Sequence, residues 1–156
     1  RMDRQIMEQA IALAVENVRA GRGGPFAAIV VRDGIIIAHG TNLVTSTNDP
    51  TAHAEVVAIR EACRRLGSFQ LRGCEIYTSC EPCPMCLGAI YWARPERIYY
   101  AATAADAAAA GFDDSFIYQQ FSVPRDARGI RFEQVDTPQA GLPFAVWTSK
   151  PDRTEY

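Results

Sequence analysis

The sequence predicts an α/β fold: a three-layer αβα sandwich on a central mixed five-stranded sheet with helices on both faces. Three observations predict it. Apolar residues recur at helical spacing near the amino terminus, two β-branched runs flank an Asp-Gly turn, and helical and extended stretches alternate from there on. One hairpin followed by alternating strands and helices implies a mixed sheet covered on both sides. With 156 residues and no internal repeat or linker, the chain is expected to form one domain over 1–156. At that length an α/β fold buries roughly two-thirds of the surface its unfolded chain exposes.

From Gln5 to Arg19, Ile6, Ala10, Ala14 and Val18 recur every four positions with Met7, Ile11 and Val15 beside them, which predicts an amphipathic helix. The stretch Gly21-Arg22-Gly23-Gly24-Pro25 stops it. Phe26 to Val31 reads as a buried strand, Arg32-Asp33-Gly34 as a hairpin turn, and Ile35 to Asn42 as the returning strand. Leu43 to Asp49 is polar and reads as a loop. Asp49 as N-cap with Pro50 at the first helical position predicts a helix over about 50–66. Cys74 to Ser79 is the third strand, a helix opens at Pro82 and runs to about Trp92, and Arg97 to Ala101 is the fourth strand. Ala104 to Ala110 and Asp113 to Phe121 are helix-prone, and Ile130 to Val135 is the expected fifth strand. Pro138, Gly141, Pro143 and Pro151 predict an irregular tail.

Composition excludes several classes of function. Hydrophobic residues make up 48% and charged residues 22%, which fits a soluble globular domain and excludes disorder and coiled coil. No window of about 18 apolar residues is present, so no membrane span is expected. The charged start Arg1-Met2-Asp3-Arg4 lacks the pattern of a secretory leader, and Arg1 ahead of Met2 reads as an addition to the native chain. A net charge of −2 with no Lys/Arg run gives no footprint for a polyanion, so no nucleic-acid partner is expected. Five cysteines, at 63, 74, 80, 83 and 86, make an odd, crowded set that suits metal binding or catalysis in a cytoplasmic protein better than disulfides.

The chemistry concentrates in two short stretches. His53-Ala54-Glu55 lies in the first turn of one predicted helix, and Pro82-Cys83-Pro84-Met85-Cys86 opens the next. Two thiolates and an imidazole form a soft donor set suited to zinc, and three protein ligands leave the fourth tetrahedral position open to water. Helix N-termini lower thiol pKa values, which favours the thiolate forms that bind metal. Glu55, two residues past His53, is placed to move protons beside that open position. Read singly, His53 is a surface or cap residue and Glu55 compensates a helix dipole; read together with Pro-Cys-x-x-Cys some 30 residues on, they form the signature of zinc deaminases. Cys80 is an alternative fourth ligand that would close the site and make the zinc structural, but Pro82 turns the chain between Cys80 and the helix. Cys63 and Cys74 read as core thiols and His39 as a sheet residue.

These residues resemble the cytidine deaminase-like superfamily, and within it the short zinc-dependent guanine deaminases. The resemblance runs through Gly23-Gly24-Pro25-Phe26, Asn48 to Glu55, Thr78 to Cys86, Gly111-Phe112-Asp113-Asp114-Ser115-Phe116 and the final Glu155-Tyr156. It implies one zinc ion per subunit held by His53, Cys83 and Cys86, with Glu55 as proton shuttle. It further implies that Asn42, Asp114, Tyr156, Phe26 and Ala54 contact a purine base, Phe26 as a wall against the ring. A homodimer is also implied, with a C-terminal segment of about 137–156 exchanged between subunits. Read blandly, Asp114 is a helix N-cap and Tyr156 a frayed end.

The expected reaction is hydrolytic deamination of guanine to xanthine and ammonia, in purine catabolism or salvage. An ionised Asp114 can accept charge-assisted hydrogen bonds from the N1–H and 2-amino edge of guanine, whereas adenine presents an acceptor at N1. The alternatives are a tRNA adenosine deaminase, a deaminase of another ring such as cytosine or a pterin-like amine, and a zinc-stabilised binding module.

Overall fold

The amino-terminal periodicity becomes helix α1, Arg4–Arg19, whose Asp3 cap accepts a hydrogen bond from the Gln5 N–H. In this computed structural model, which describes residues 1–156, the chain divides into two compact units, Arg1–Asp114 and Ser115–Tyr156.

The first unit is built on a sheet. β1, Ala27–Arg32, and β2, Ile35–Thr41, pair antiparallel with Ala27 opposite Thr41 and Arg32 opposite Ile35. Asp33 and Gly34 turn the hairpin with φ values of 53° and 76°, the left-handed geometry that Asp-Gly tolerates. β3, Cys74–Cys80, lies antiparallel to β1, and β4, Arg97–Ala102, lies parallel to β3. Helix α4, Pro84–Ala93, makes the crossover that a parallel pair requires. The sheet is mixed, in the order β2-β1-β3-β4.

Every β1 residue except Arg32 is buried because the sheet is covered on both faces. Strand alternation sorts the side chains. Ala28, Val30 and Ile76 pack with Ala54, Ala58 and Ala62 of helix α3, Ala54–Leu66, and with Ile90 of α4. Ile29, Val31 and Tyr77 face Ile6 and Ala10 of α1 on the other side. The Tyr77 hydroxyl accepts from the Asp3 N–H at 2.7 Å, which ties the start of α1 to the sheet. α3 lies hard against β2 because residue 40 is glycine: a Cβ there would stand 2.5 Å from both the Ala54 carbonyl oxygen and the Ala58 nitrogen.

Four features differ from the sequence expectation. The sheet has four strands, since 130–135 forms none. Its alternation of apolar and polar residues is a strand pattern without a ladder partner in this chain, and Ile130, Phe132 and Val135 are exposed. α3 begins at Ala54 rather than near Pro50. The Asp49 carboxylate is spent on the Thr51 N–H and hydroxyl, and His53 takes the cap position. The expected loop after Asn42 contains a short helix α2, Val44–Thr47, which ends on Asn48 in left-handed geometry.

After β4 comes α5, Ala104–Ala109, held by a Thr103/Asp106 capping box. The second unit contains α6, Ser115–Ser122, a single 3-10 turn at Arg125–Ala127, and α7, Leu142–Ser149. α7 is the fourth difference, a helix within the expected irregular tail. Pro143 sits in its first turn, where a missing N–H breaks no bond. Neither α6 nor α7 buries a residue. No helix is long and apolar enough to cross a membrane.

Candidate active site

Two helix starts place the reactive side chains. His53 is the N-cap of α3, and Cys83 is the N-cap of α4, where its Sγ accepts from the Cys86 N–H at 3.4 Å. Pro84 at the start of α4 fits a position whose N–H has no helical partner. The His53 Nδ1 lies 3.4 Å from Cys83 Sγ and 3.5 Å from Cys86 Sγ, and the three donor atoms lie within 4.8 Å of one another. Ligands about 2.0–2.1 Å (nitrogen) and 2.3 Å (sulfur) from a tetrahedral zinc stand roughly 3.5–3.8 Å apart. The donor set and its spacing therefore fit zinc. Cys80 is outside this group: it ends β3, and its thiol points to the Thr103 carbonyl at 3.6 Å.

The electrostatics favour a bound cation. The hydrogen bond from the Cys86 thiol, with others from His53 and the Cys86 N–H, lowers the Cys83 thiol to about 4. The Cys86 thiol is pushed up by its bond to Cys83, by burial and by the Glu55 charge. The pair thus takes one negative charge readily and resists a second, and a divalent cation relieves that resistance. His53 is raised by its bond to Cys83.

Glu55 lies in the first turn of α3 with only 7% of its surface exposed. Burial raises its pKa, and the Cys83 charge adds to the rise. A carboxyl lifted in this way, interacting with Cys83, Cys86 and His53, suits proton transfer.

The expected substrate contacts take distinct positions. Asn42 follows β2 and is buried; its Oδ1 accepts from the Val44 N–H at 3.1 Å and the Gly24 N–H at 3.4 Å, which leaves the Nδ2 donors uncommitted. Phe26 is half-buried and meets Phe112 edge-on, with centroids 5.0 Å apart at 86°. Asp114 is half-buried directly before α6; burial raises its pKa, and the Cys83 charge reaches it. Ala54 has no exposed surface, its methyl lying in the α3 side of the core. Tyr156 belongs to the second unit and is 71% exposed. Cys74 lies in the core and Cys63 packs against it, while His39 is an exposed β2 residue.

Three supporting residues escaped the sequence reading. Glu81 Oε1 accepts from the Ala104 N–H and so anchors α5 to the cysteine loop. Ser79 Oγ accepts from the Ala27 N–H, joining β3 to the start of β1. Asn17 is wholly buried on α1. Ser79 and Glu81 lie inside the Thr78 to Cys86 stretch but carry no donor or acid/base role there; for Asn17, an asparagine on the buried face of a helix was the one available signal.

The family model for the cytidine and deoxycytidylate deaminase zinc-binding region matches residues 1–102. Guanine deaminase of Bacillus subtilis (strain 168) is 57% identical over 150 residues, 96% of each chain. An X-ray structure of guanine deaminase from Bacillus subtilis superposes with a TM-score of 0.98 at 55% identity, covering 100% of this chain and 99% of that one. A tRNA-specific adenosine deaminase of Aquifex aeolicus is 49% identical, but over 50% of this chain and 52% of its own. A solved structure in complex with 2,6-diaminopurine is 38% identical, with a TM-score of 0.65, and covers 69% of this chain and 60% of that chain.

A mixed sheet carrying a His/Cys/Cys group at two helix starts, together with that match, places the chain in the cytidine and deoxycytidylate deaminase zinc-binding family. Similarity along nearly its whole length then puts it among the guanine deaminases of that family.

Proposed function

We propose that this chain hydrolyses guanine to xanthine and ammonia, with His53, Cys83 and Cys86 holding one zinc ion per subunit. The observation that carries the reading is the buried Glu55 carboxyl beside that three-donor group, in a chain similar to a guanine deaminase from end to end. When bound, zinc supplies Lewis acidity, bringing water to a pKa of about 7 and so providing a nucleophile at neutral pH.

Glu55 takes the proton of the attacking water, delivers it to a ring nitrogen and returns a proton to the departing amine, so that guanine and water become xanthine and ammonia. Its raised pKa makes it the stronger base for the step in which it takes the water's proton. Asp114 in its ionised form accepts from the N1–H and amino edge, and the uncommitted Nδ2 of Asn42 donates to a ring acceptor. Phe26, braced edge-on by Phe112, forms an apolar wall against the ring. The resemblance adds Tyr156 as a further contact with the purine. Ala54 borders it through its backbone, since its methyl is in the core.

The working form is a homodimer in which a segment of about 137–156 is exchanged. The exposed Leu142, Phe144, Val146 and Trp147 of α7 support that reading, since an apolar helix with no buried face needs a partner. Five free cysteines suit a reducing cytoplasm, and the product suits purine catabolism or salvage.

Ammonia release from guanine, adenine, cytosine, a pterin-like amine and tRNA tests the substrate. Turnover of guanine above the other substrates is the expected result. Turnover of tRNA adenosine with none of guanine would overturn the proposal in favour of the relatives matched over half of the chain; the net charge of −2 speaks against that polyanion.

A further inference from the structure

Asn17 sits on α1 with none of its surface exposed, and its side-chain amide spends both donors on backbone carbonyls of other segments. Nδ2 donates to the Gly24 carbonyl and to the Asn42 carbonyl, each at 2.9 Å. Its Oδ1 accepts from Arg22 Nε at 3.4 Å, which fixes the sense of the amide. The two carbonyls belong to the two residues that meet at the Asn42 side chain, since the Gly24 N–H donates to Asn42 Oδ1. The space is closed by contact as well: a Cβ on Gly23 would overlap the same Asn42 carbonyl. A buried amide with every polar group paired between two loops holds those loops in one arrangement.

We infer that Asn17 is a positioning residue for substrate recognition, acting through Asn42: by clamping both backbones it aims the Asn42 Nδ2 at the ring. The inference rests on the reading of Asn42 as a ring contact. Asn17 touches no metal donor, and His53, Cys83 and Cys86 are carried by α3 and α4. Its loss therefore weakens binding of the ring while leaving the zinc group and Glu55 in place. A contact made equally before and during reaction shows itself in KM and not in kcat.

The test compares zinc content and steady-state guanine kinetics of Asn17→Ala, Asn42→Ala, the double variant and Gly23→Ala. Expected are full zinc occupancy, KM raised roughly tenfold in each single variant with kcat held within about threefold, and a double variant no worse than Asn42→Ala alone. Folded, zinc-loaded Asn17→Ala with wild-type KM would overturn the inference, as would losses that multiply in the double variant. Should Asn17→Ala not fold, Gly23→Ala decides, because it displaces the same carbonyl from a half-buried loop; wild-type KM there also overturns the inference. Asn42→Ala with unchanged KM would instead remove the reading of Asn42 itself.

Discussion

Glu55 is held in the fold at a cost that its chemistry explains. Its folded pKa is raised by burial above the unfolded carboxylate value of about 4.3. A carboxyl raised in this way favours the fold when protonated. That stability is fully present below the unfolded value and is lost as pH rises through the folded one. Glu55→Gln should therefore raise the Tm of zinc-free protein near neutral pH, by about 2–4 °C for each kcal/mol relieved. The same variant should lower kcat by roughly 10²–10⁴-fold; calorimetry and ammonia release check the two halves, and unchanged turnover would remove Glu55 from the proton path. Cys80 and Cys86 make a second contrast: Cys86→Ser should lose zinc in elemental analysis, whereas Cys80→Ser, its thiol on the Thr103 carbonyl, should keep it. The His53, Cys83 and Cys86 grouping was legible because donor type and spacing match the signature of zinc deaminases. Asn17 was not, since its role depends on two carbonyls brought to it from Gly24 and Asn42 by folding.

The elements explain why the site stays together. α3 carries both His53 and Glu55 at its start and can lie on β2 only because residue 40 lacks a side chain. Gly40→Ala should force the helix away, costing about 1–3 kcal/mol in urea unfolding, and should weaken zinc binding more than would Gly141→Ala, where φ is −86° and a Cβ meets nothing within 4 Å. Equal effects from the two would mean that α3 does not depend on that approach. Periodicity announced α1, strand-like runs announced β1 to β4 and Pro82 announced α4, each of them packed within the first unit. The pattern misplaced the start of α3, because Asp49 bonds to Thr51 where a cap was expected. It also made a strand of 130–135, since alternation records which faces are apolar and leaves open whether an edge exists to receive them.

At the level of the whole molecule the two units are unlike. The first buries both faces of its sheet, and its core follows from the alternation of Ala28 and Val30 against Ile29 and Val31. The second unit keeps Phe116, Phe121, Ile130, Leu142 and Phe144 more than half exposed. Apolar surface on that scale is uncommon on a stable monomer. No pattern within one chain could reveal this, since hydrophobic periodicity is silent on which copy supplies the opposing face. If a second copy covers those side chains, mass action sets how intact each subunit is. Thermal midpoints should then rise with protein concentration, and guanine turnover per subunit should fall on dilution below the dimer Kd; a specific activity constant across that range, with a monomer in sedimentation, would count against exchange. Dilution would then act on this protein as a denaturant does, with its carboxyl-terminal residues the first to feel it.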